Sequence, residues 1–258
     1  MPRFCANLTF LFRELPIDDR FAAARDAGFE AVELLWPEEE TVPLETIARK
    51  LQQSGLRLAL INTPRADARH EHWGNAAREG GEQAFEEALR TTLSRAAILR
   101  PHHIHILAGI ASGTGGEASY IRNLRHACDR APDQSFTIEP INRLTLPGYF
   151  LDSFETAARV IDAVGRPNLG LQFDTFHAQR MSGDMPALWQ QYGARAVHVQ
   201  VASSPDRHEP AAQTSPGGID HPAFFARLDR QGFKGFVSGE YHPLAETADG
   251  LGWLAGVG

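Results

Sequence analysis

Four oxygen-bearing side chains stand at the same place in four apolar runs of this 258-residue chain. Ser135-Phe136-Thr137-Ile138 leads into Glu139 and then Pro140-Ile141-Asn142, and Leu169-Gly170-Leu171-Gln172-Phe173 ends on Asp174. Ala196-Val197-His198-Val199 ends on Gln200, and Phe236-Val237-Ser238-Gly239 ends on Glu240. Each run is short, rich in branched and aromatic residues, and reads as a buried strand. A buried strand has no local reason to finish on a carboxylate, and Pro140 lacks the N–H that would continue a sheet ladder. Three carboxylates and one amide make an all-oxygen donor set. Such a set suits Mg²⁺ or Mn²⁺ rather than zinc, which favours nitrogen and sulfur.

Other polar residues gather around these tips. His177 lies three residues beyond Asp174, and Arg207 sits in the loop Ser204-Pro205-Asp206-Arg207-His208-Glu209-Pro210. An Arg fork fits a carboxylate through two parallel hydrogen bonds, so Arg207 and His177 are the candidate substrate anchors. Asn7, Glu33 and Asn62 stand at or near the ends of the first three strands and complete the polar lining. His198 precedes Gln200 by two and shares its face, which puts it one layer below the site. His103 and His105 share a face in the same way, and their roles stay open at this point.

The elements that must position these residues alternate in type. Strand patterns cover Arg3–Phe10, Ala31–Trp36, Leu56–Asn62, His103–Ala108, Ser135–Glu139, Leu169–Asp174, Ala196–Ala202 and Gly235–Tyr241. Helical patterns cover Pro16–Ala27, Leu44–Gln53, Glu82–Leu99, Ala118–Arg130, Ser153–Val164, Asp184–Tyr192 and His221–Gln231. A polar stretch from Thr63 to Gly81 exceeds the usual connection length and reads as a functional loop, and Ser112–Gly116 reads as a glycine-rich loop. Eight strands alternating with helices predict a (β/α)8 TIM barrel, with residues 1–258 as one domain. The competing doubly wound sheet lacks its glycine fingerprint after the first strand. Barrel active sites lie at the C-terminal ends of the strands, where all four candidate ligands fall.

A net charge of −7 and a pI near 5.9 argue against nucleic acid or an anionic membrane as partner. Cys5 and Cys128 show no metal or redox spacing, and the start of the chain lacks the pattern of a signal peptide. The expectation is a cytoplasmic protein with free thiols acting on a small molecule. A homo-oligomer is compatible with that reading.

With these residues placed, the chain resembles the hydroxypyruvate isomerase family of xylose-isomerase-like barrels, close to its 2-oxo-tetronate isomerase branch. The likeness runs through Pro2-Arg3-Phe4, Ile138-Glu139-Pro140-Ile141-Asn142, Asp174-Thr175-Phe176-His177-Ala178-Gln179-Arg180, the Pro205–Pro210 segment and Gly239-Glu240-Tyr241. It implies a divalent ion held by Glu139, Asp174, Gln200 and Glu240, with Glu139 and Glu240 as the acid/base pair. Related ketose epimerases usually carry His where Gln200 stands, which points to the isomerase group. Two positions depart from the family: His242 stands where Lys is usual, and Gly218 where Glu is usual.

The implied reaction moves a carbonyl between adjacent carbons of a small 2-oxo acid or sugar acid. Hydroxypyruvate/tartronate semialdehyde and 2-oxo-tetronate/3-oxo-tetronate are the implied pairs. An enediolate, one carboxylate removing a proton and a second returning it, is the expected route; a hydride shift is the other. A ketose 3-epimerase using the same metal site is the alternative. DNA phosphodiester cleavage, which this barrel type also supports, fits poorly with the negative charge.

Overall fold

The computed structural model describes residues 2–65, 73–211 and 217–254. Strands β1 (Arg3–Asn7), β2 (Ala31–Glu33), β3 (Arg57–Asn62), β4 (His103–His105), β5 (Ser135–Ile138), β6 (Leu169–Asp174), β7 (Ala196–Val201) and β8 (Phe236–Gly239) are parallel neighbours in chain order. β8 pairs with β1 from Arg3↔Phe236 to Ala6↔Gly239, closing the expected (β/α)8 barrel. Around it run α1 (Ile17–Asp26), α2 (Leu44–Ser54), α3 (Glu82–Leu99), α4 (Gly113–Arg130), α5 (Phe154–Val164), α6 (Thr175–Ser182), α7 (Met185–Tyr192) and α8 (His221–Arg230). Among the described residues no helix is long and apolar enough to cross a membrane.

Two periodicities build this arrangement. The helices turn stripes such as Phe85, Leu89 and Leu99, or Tyr120, Leu124 and Ala127, onto the outward strand residues Ile104, Phe136, Phe173 and Val199, all buried. Each large apolar side chain buried there contributes roughly 1.5–3 kcal/mol. Along the strands, alternate residues point inward. Cys5, Ala31, Ala59 and Phe236 form a separate apolar cluster. Two residues further on, the same strands turn Asn7, Glu33 and Ser238 inward, all buried. The upper interior is therefore polar, while below it this apolar cluster meets the Arg3 guanidinium and His102 at Phe236.

Strand pairing is shorter than the sequence pattern predicts. It stops at Asn7, Glu33 and His105 rather than at Phe10, Trp36 and Ala108, because the chain leaves the rim where its neighbours end. Glu139 and Glu240 consequently sit one residue beyond the last paired residues, Ile138 and Gly239. The glycine-rich segment is not wholly a loop, since α4 begins at Gly113. α6 has no counterpart among the expected helices. It starts directly from β6, because Asp174 serves as its N-cap.

Of the long polar stretch 63–81, residues 66–72 lie outside the described residues. The segment after them crosses the barrel mouth and bridges Gly74 to Ala108. Gly74 (φ +90°) and Gly109 (φ +84°) allow this approach: a Cβ on Gly74 would sit 2.3 Å from the Leu107 carbonyl oxygen, and one on Gly109 2.3 Å from that of Gly74.

Candidate active site

The C-terminal rim brings Glu139, Asp174, Gln200 and Glu240 into one buried network. Gln172, two residues before Asp174 on the same inward face of β6, donates to Glu139 Oε2 (3.0 Å) and to Gln200 Oε1 (2.7 Å). Thr137 holds the other end of Gln172 by donating to its Oε1 at 2.9 Å. Gln200 Nε2 donates to Glu33 Oε2 at 3.1 Å and to Glu240 Oε2. Asn7 Nδ2 spans the same two carboxylates, at 2.9 Å from each.

Arg207 spans the other side. Its Nη2 lies 2.5 Å from Glu240 Oε1 and 3.3 Å from Asp174 Oδ2. The guanidinium carbon stands 5.4 Å from the Phe10 ring centroid and 5.0 Å from that of Phe176. Burial works against the Arg207 charge, but Glu240, Asp174 and Glu139 outweigh it and hold its pKa above the ordinary value. His242 supports this loop from outside, through its N–H to the Arg207 carbonyl (2.9 Å) and an edge contact with Phe10 (5.1 Å).

His177, from the first turn of α6, points its Nε2 between Glu139 (3.8 Å) and Asp174 (3.7 Å). Asn142 Nδ2 lies 2.7 Å from its Nδ1. An amide N–H on Nδ1 leaves the proton on Nε2, aimed at the two carboxylates. Burial lowers the His177 pKa to about 4, with Asp174 opposing and Arg207 adding to the fall, so the ring is neutral.

The charge balance is lopsided. Glu33, Glu139, Asp174 and Glu240 are all at most 6% exposed, with one guanidinium among them. Burial first, then Asp174 and Glu240, raise the Glu139 pKa well above the carboxylate range. Burial also raises Glu240 to about 8, against the opposing pull of Arg207. Glu139 Oε1 has no hydrogen-bond partner among the described residues. One ligand atom each from Glu139, Asp174 and His177 lies within 4.8 Å of the others. The carboxylates of Glu139 and Asp174 suit a hard divalent cation, which would supply the missing positive charge and a partner for Glu139 Oε1, while Glu240 lies outside this close group. Gln200 as it stands turns its amide nitrogen to Glu240. To give an oxygen to an ion it would turn its amide over and release Glu33 and Glu240.

The remaining expected residues separate into two groups. Asn62 lines the pocket with Glu139, His177, Arg207 and Glu240, whereas Asn7 and Glu33 are absent from its lining. Glu33 Oε1 instead bonds His198 Nε2, confirming that His198 lies beneath the site. Gly218 lies against Gln179 and Arg227, away from the pocket. Sequence reasoning missed Gln172, although its i−2 spacing from Asp174 repeats that of His198 and Gln200. It also missed the apolar wall of Trp36, Trp73, Leu107, Ile141 and Leu146, which leaves a cavity of only about 60 Å³. His105, left open above, lines that cavity.

Known proteins share this architecture. A human protein provisionally named hydroxypyruvate isomerase is 42% identical over 98% of this chain and 94% of its own. A 2-oxo-tetronate isomerase of Haemophilus influenzae is 36% identical over 98% of both chains. A solved structure from Brucella melitensis, described as an AP endonuclease of family 2, superposes with a TM-score of 0.92 at 38% identity, covering 99% of this chain and 98% of that one. Residues 21–257 match the profile of one family, and the chain belongs to it: the xylose isomerase-like TIM barrels.

Proposed function

We propose that this protein is an isomerase that moves a carbonyl between adjacent carbons of a small hydroxy-oxo acid, such as hydroxypyruvate or 2-oxo-tetronate. The observation that carries the reading is the pair of buried glutamates, Glu139 after β5 and Glu240 after β8, both lining a small pocket. Moving a carbonyl requires a proton to leave the carbon beside it and another to arrive at the neighbouring carbon. Two carboxylates on opposite arcs of the rim suit those two tasks. The names of the two curated relatives support the same chemistry.

Glu139, Asp174 and Glu240, with Gln200 after the amide turn, are the residues that would hold Mg²⁺ or Mn²⁺. When bound, the ion would stabilise the negative charge that develops on the substrate oxygens. This chain's own residues do the rest. Gln172 and Asn7 fix the two glutamates, His177 offers an N–H to a substrate oxygen, and Arg207 matches a carboxylate. The apolar wall excludes water from the reacting carbon. A ketose 3-epimerase would use the same glutamates, but the Arg207 charge beside Asp174 and Glu240 favours an acid over a neutral sugar. A DNA substrate is at odds with so enclosed a pocket and a net charge of −7.

The test is turnover of both acids with Mg²⁺ in D₂O, followed by NMR. Conversion with solvent deuterium at the migrating position is expected, and Glu139→Gln and Glu240→Gln should each lower kcat by about 10²–10⁴-fold. Full retention of the original hydrogen would replace proton transfer by a hydride shift, and near-native kcat in either variant would remove that residue from the reaction.

A further inference from the structure

The arc of the pocket formed by β3, β4 and the end of β2 carries polar atoms that the reaction above does not use. Trp36 Nε1, Asn62 Oδ1 and His105 Nε2 are buried and have no hydrogen-bond partner among the described residues. Their side chains line the same cavity as Glu139 and Glu240, in residues 4%, 4% and 1% exposed. A buried polar atom left unpaired is destabilising, and native interiors contain few of them. Three such residues in the lining of one cavity mark a place where a ligand would complete the bonding.

Their positions are built in. Asn62 and His105 are register partners on β3 and β4, so their side chains stand abreast on the inner face. The Trp36 ring is held by the Trp73 edge at 5.3 Å and by the Arg65 guanidinium 3.6 Å over its face. The donor and acceptor set is equally specific. Trp36 Nε1–H only donates and Asn62 Oδ1 only accepts. His105 Nδ1 lies 3.7 Å from Glu139 Oε2, and that carboxylate favours the tautomer with the proton on Nδ1, leaving Nε2 to accept. A hydroxyl can accept from Trp36 Nε1–H and give its one proton to either Asn62 Oδ1 or His105 Nε2. A carboxylate has no proton to give to the two acceptors, and none of the three residues supplies a positive charge.

We infer that Trp36, Asn62 and His105 form a distal subsite that binds a hydroxyl at the end of the substrate remote from its carboxylate. This rests on the reading of the pocket as a site for small hydroxy-oxo acids, with the carboxylate at Arg207. 2-Oxo-tetronate carries a C4 hydroxyl beyond its reacting carbons, whereas the terminal hydroxyl of hydroxypyruvate is on the reacting C3, so none is left for the subsite. The subsite thus sets chain length at the end of the pocket where no charge is read.

Calorimetry with Mg²⁺ present tests the subsite without turnover. The probes are threonate and its 4-deoxy analogue, titrated into the wild type, Trp36→Phe and Asn62→Ala. Trp36→Phe keeps the ring and removes the N–H. The wild type should bind threonate at least about tenfold more tightly than the deoxy acid, and both variants should bring that ratio towards one. A wild-type ratio near one, no binding of either acid, or variants that keep the wild-type ratio would overturn the subsite. If one variant fails to fold, the wild-type ratio and the other variant still decide. Turnover measured separately divides the two readings. A preserved ratio in a protein that converts neither hydroxypyruvate nor 2-oxo-tetronate rejects the isomerase and keeps the subsite. Conversion of both acids with no preference for threonate rejects the subsite alone.

Discussion

Arg207 is the residue on which the electrostatics of the site turn. Among the described residues its guanidinium is set against both Asp174 and Glu240, with φ +59° and a side chain packed between Phe10 and Phe176. A positive φ is unfavourable for a residue with a Cβ, and His242 N–H on the Arg207 carbonyl helps to hold it. Removing this charge takes away the anchor for an anionic substrate and leaves Asp174 and Glu240 facing each other. Arg207→Ala should therefore raise KM for hydroxypyruvate or 2-oxo-tetronate by at least about tenfold, the worth of a charge-assisted hydrogen bond. Neutral ketoses, if they turn over at all, should be affected far less. Equal effects on acidic and neutral substrates would take the carboxylate away from Arg207 and favour an epimerase.

At the scale of elements, Asp174 belongs to three at once. It ends β6, caps α6 through Oδ1 to the N–H groups of Phe176 (2.7 Å) and His177 (3.4 Å), and turns Oδ2 to Arg207. Asn caps a helix about as well as Asp, so Asp174→Asn separates these roles. The variant should keep or slightly raise the metal-free Tm, since one of several crowded carboxylates is gone, while Mg²⁺ should no longer raise it. A large loss of metal-free stability would instead make the carboxylate structural. The same residue shows what was legible beforehand. Its position at the end of an apolar run marked it as a site residue, because strand tips depend on period and punctuation alone. That it also starts a helix was hidden, since Thr175-Phe176-His177 has no apolar stripe before it. Gln172 and Trp36 escaped for a different reason: their roles depend on which strands become neighbours, and a single run does not specify that. The strand ends were overread where apolar residues such as Leu35 and Trp36 continue past the last pairing to line the mouth.

At the scale of the molecule, four buried acidic groups in one barrel make cation binding a matter of stability as well as chemistry. An ion that binds only the folded chain stabilises it by about 2.7 kcal/mol at one hundred times its Kd. For a chain of this size that corresponds to a Tm rise of roughly 5–10 °C. Scanning calorimetry should show the rise with Mg²⁺ or Mn²⁺ and its reversal by chelator, and an unchanged Tm would speak against a resident ion. The order of the strands has its own consequence. Asn7, near the start of the chain, holds Glu240, near its end, and β1 finds its second neighbour only in β8. Contacts this distant in sequence are slow to form, because loop closure precedes any gain from them. During synthesis the carboxylates of β5 and β6 emerge well before their partner on β8. The ring of rim carboxylates is therefore complete only once the two ends of the chain have met.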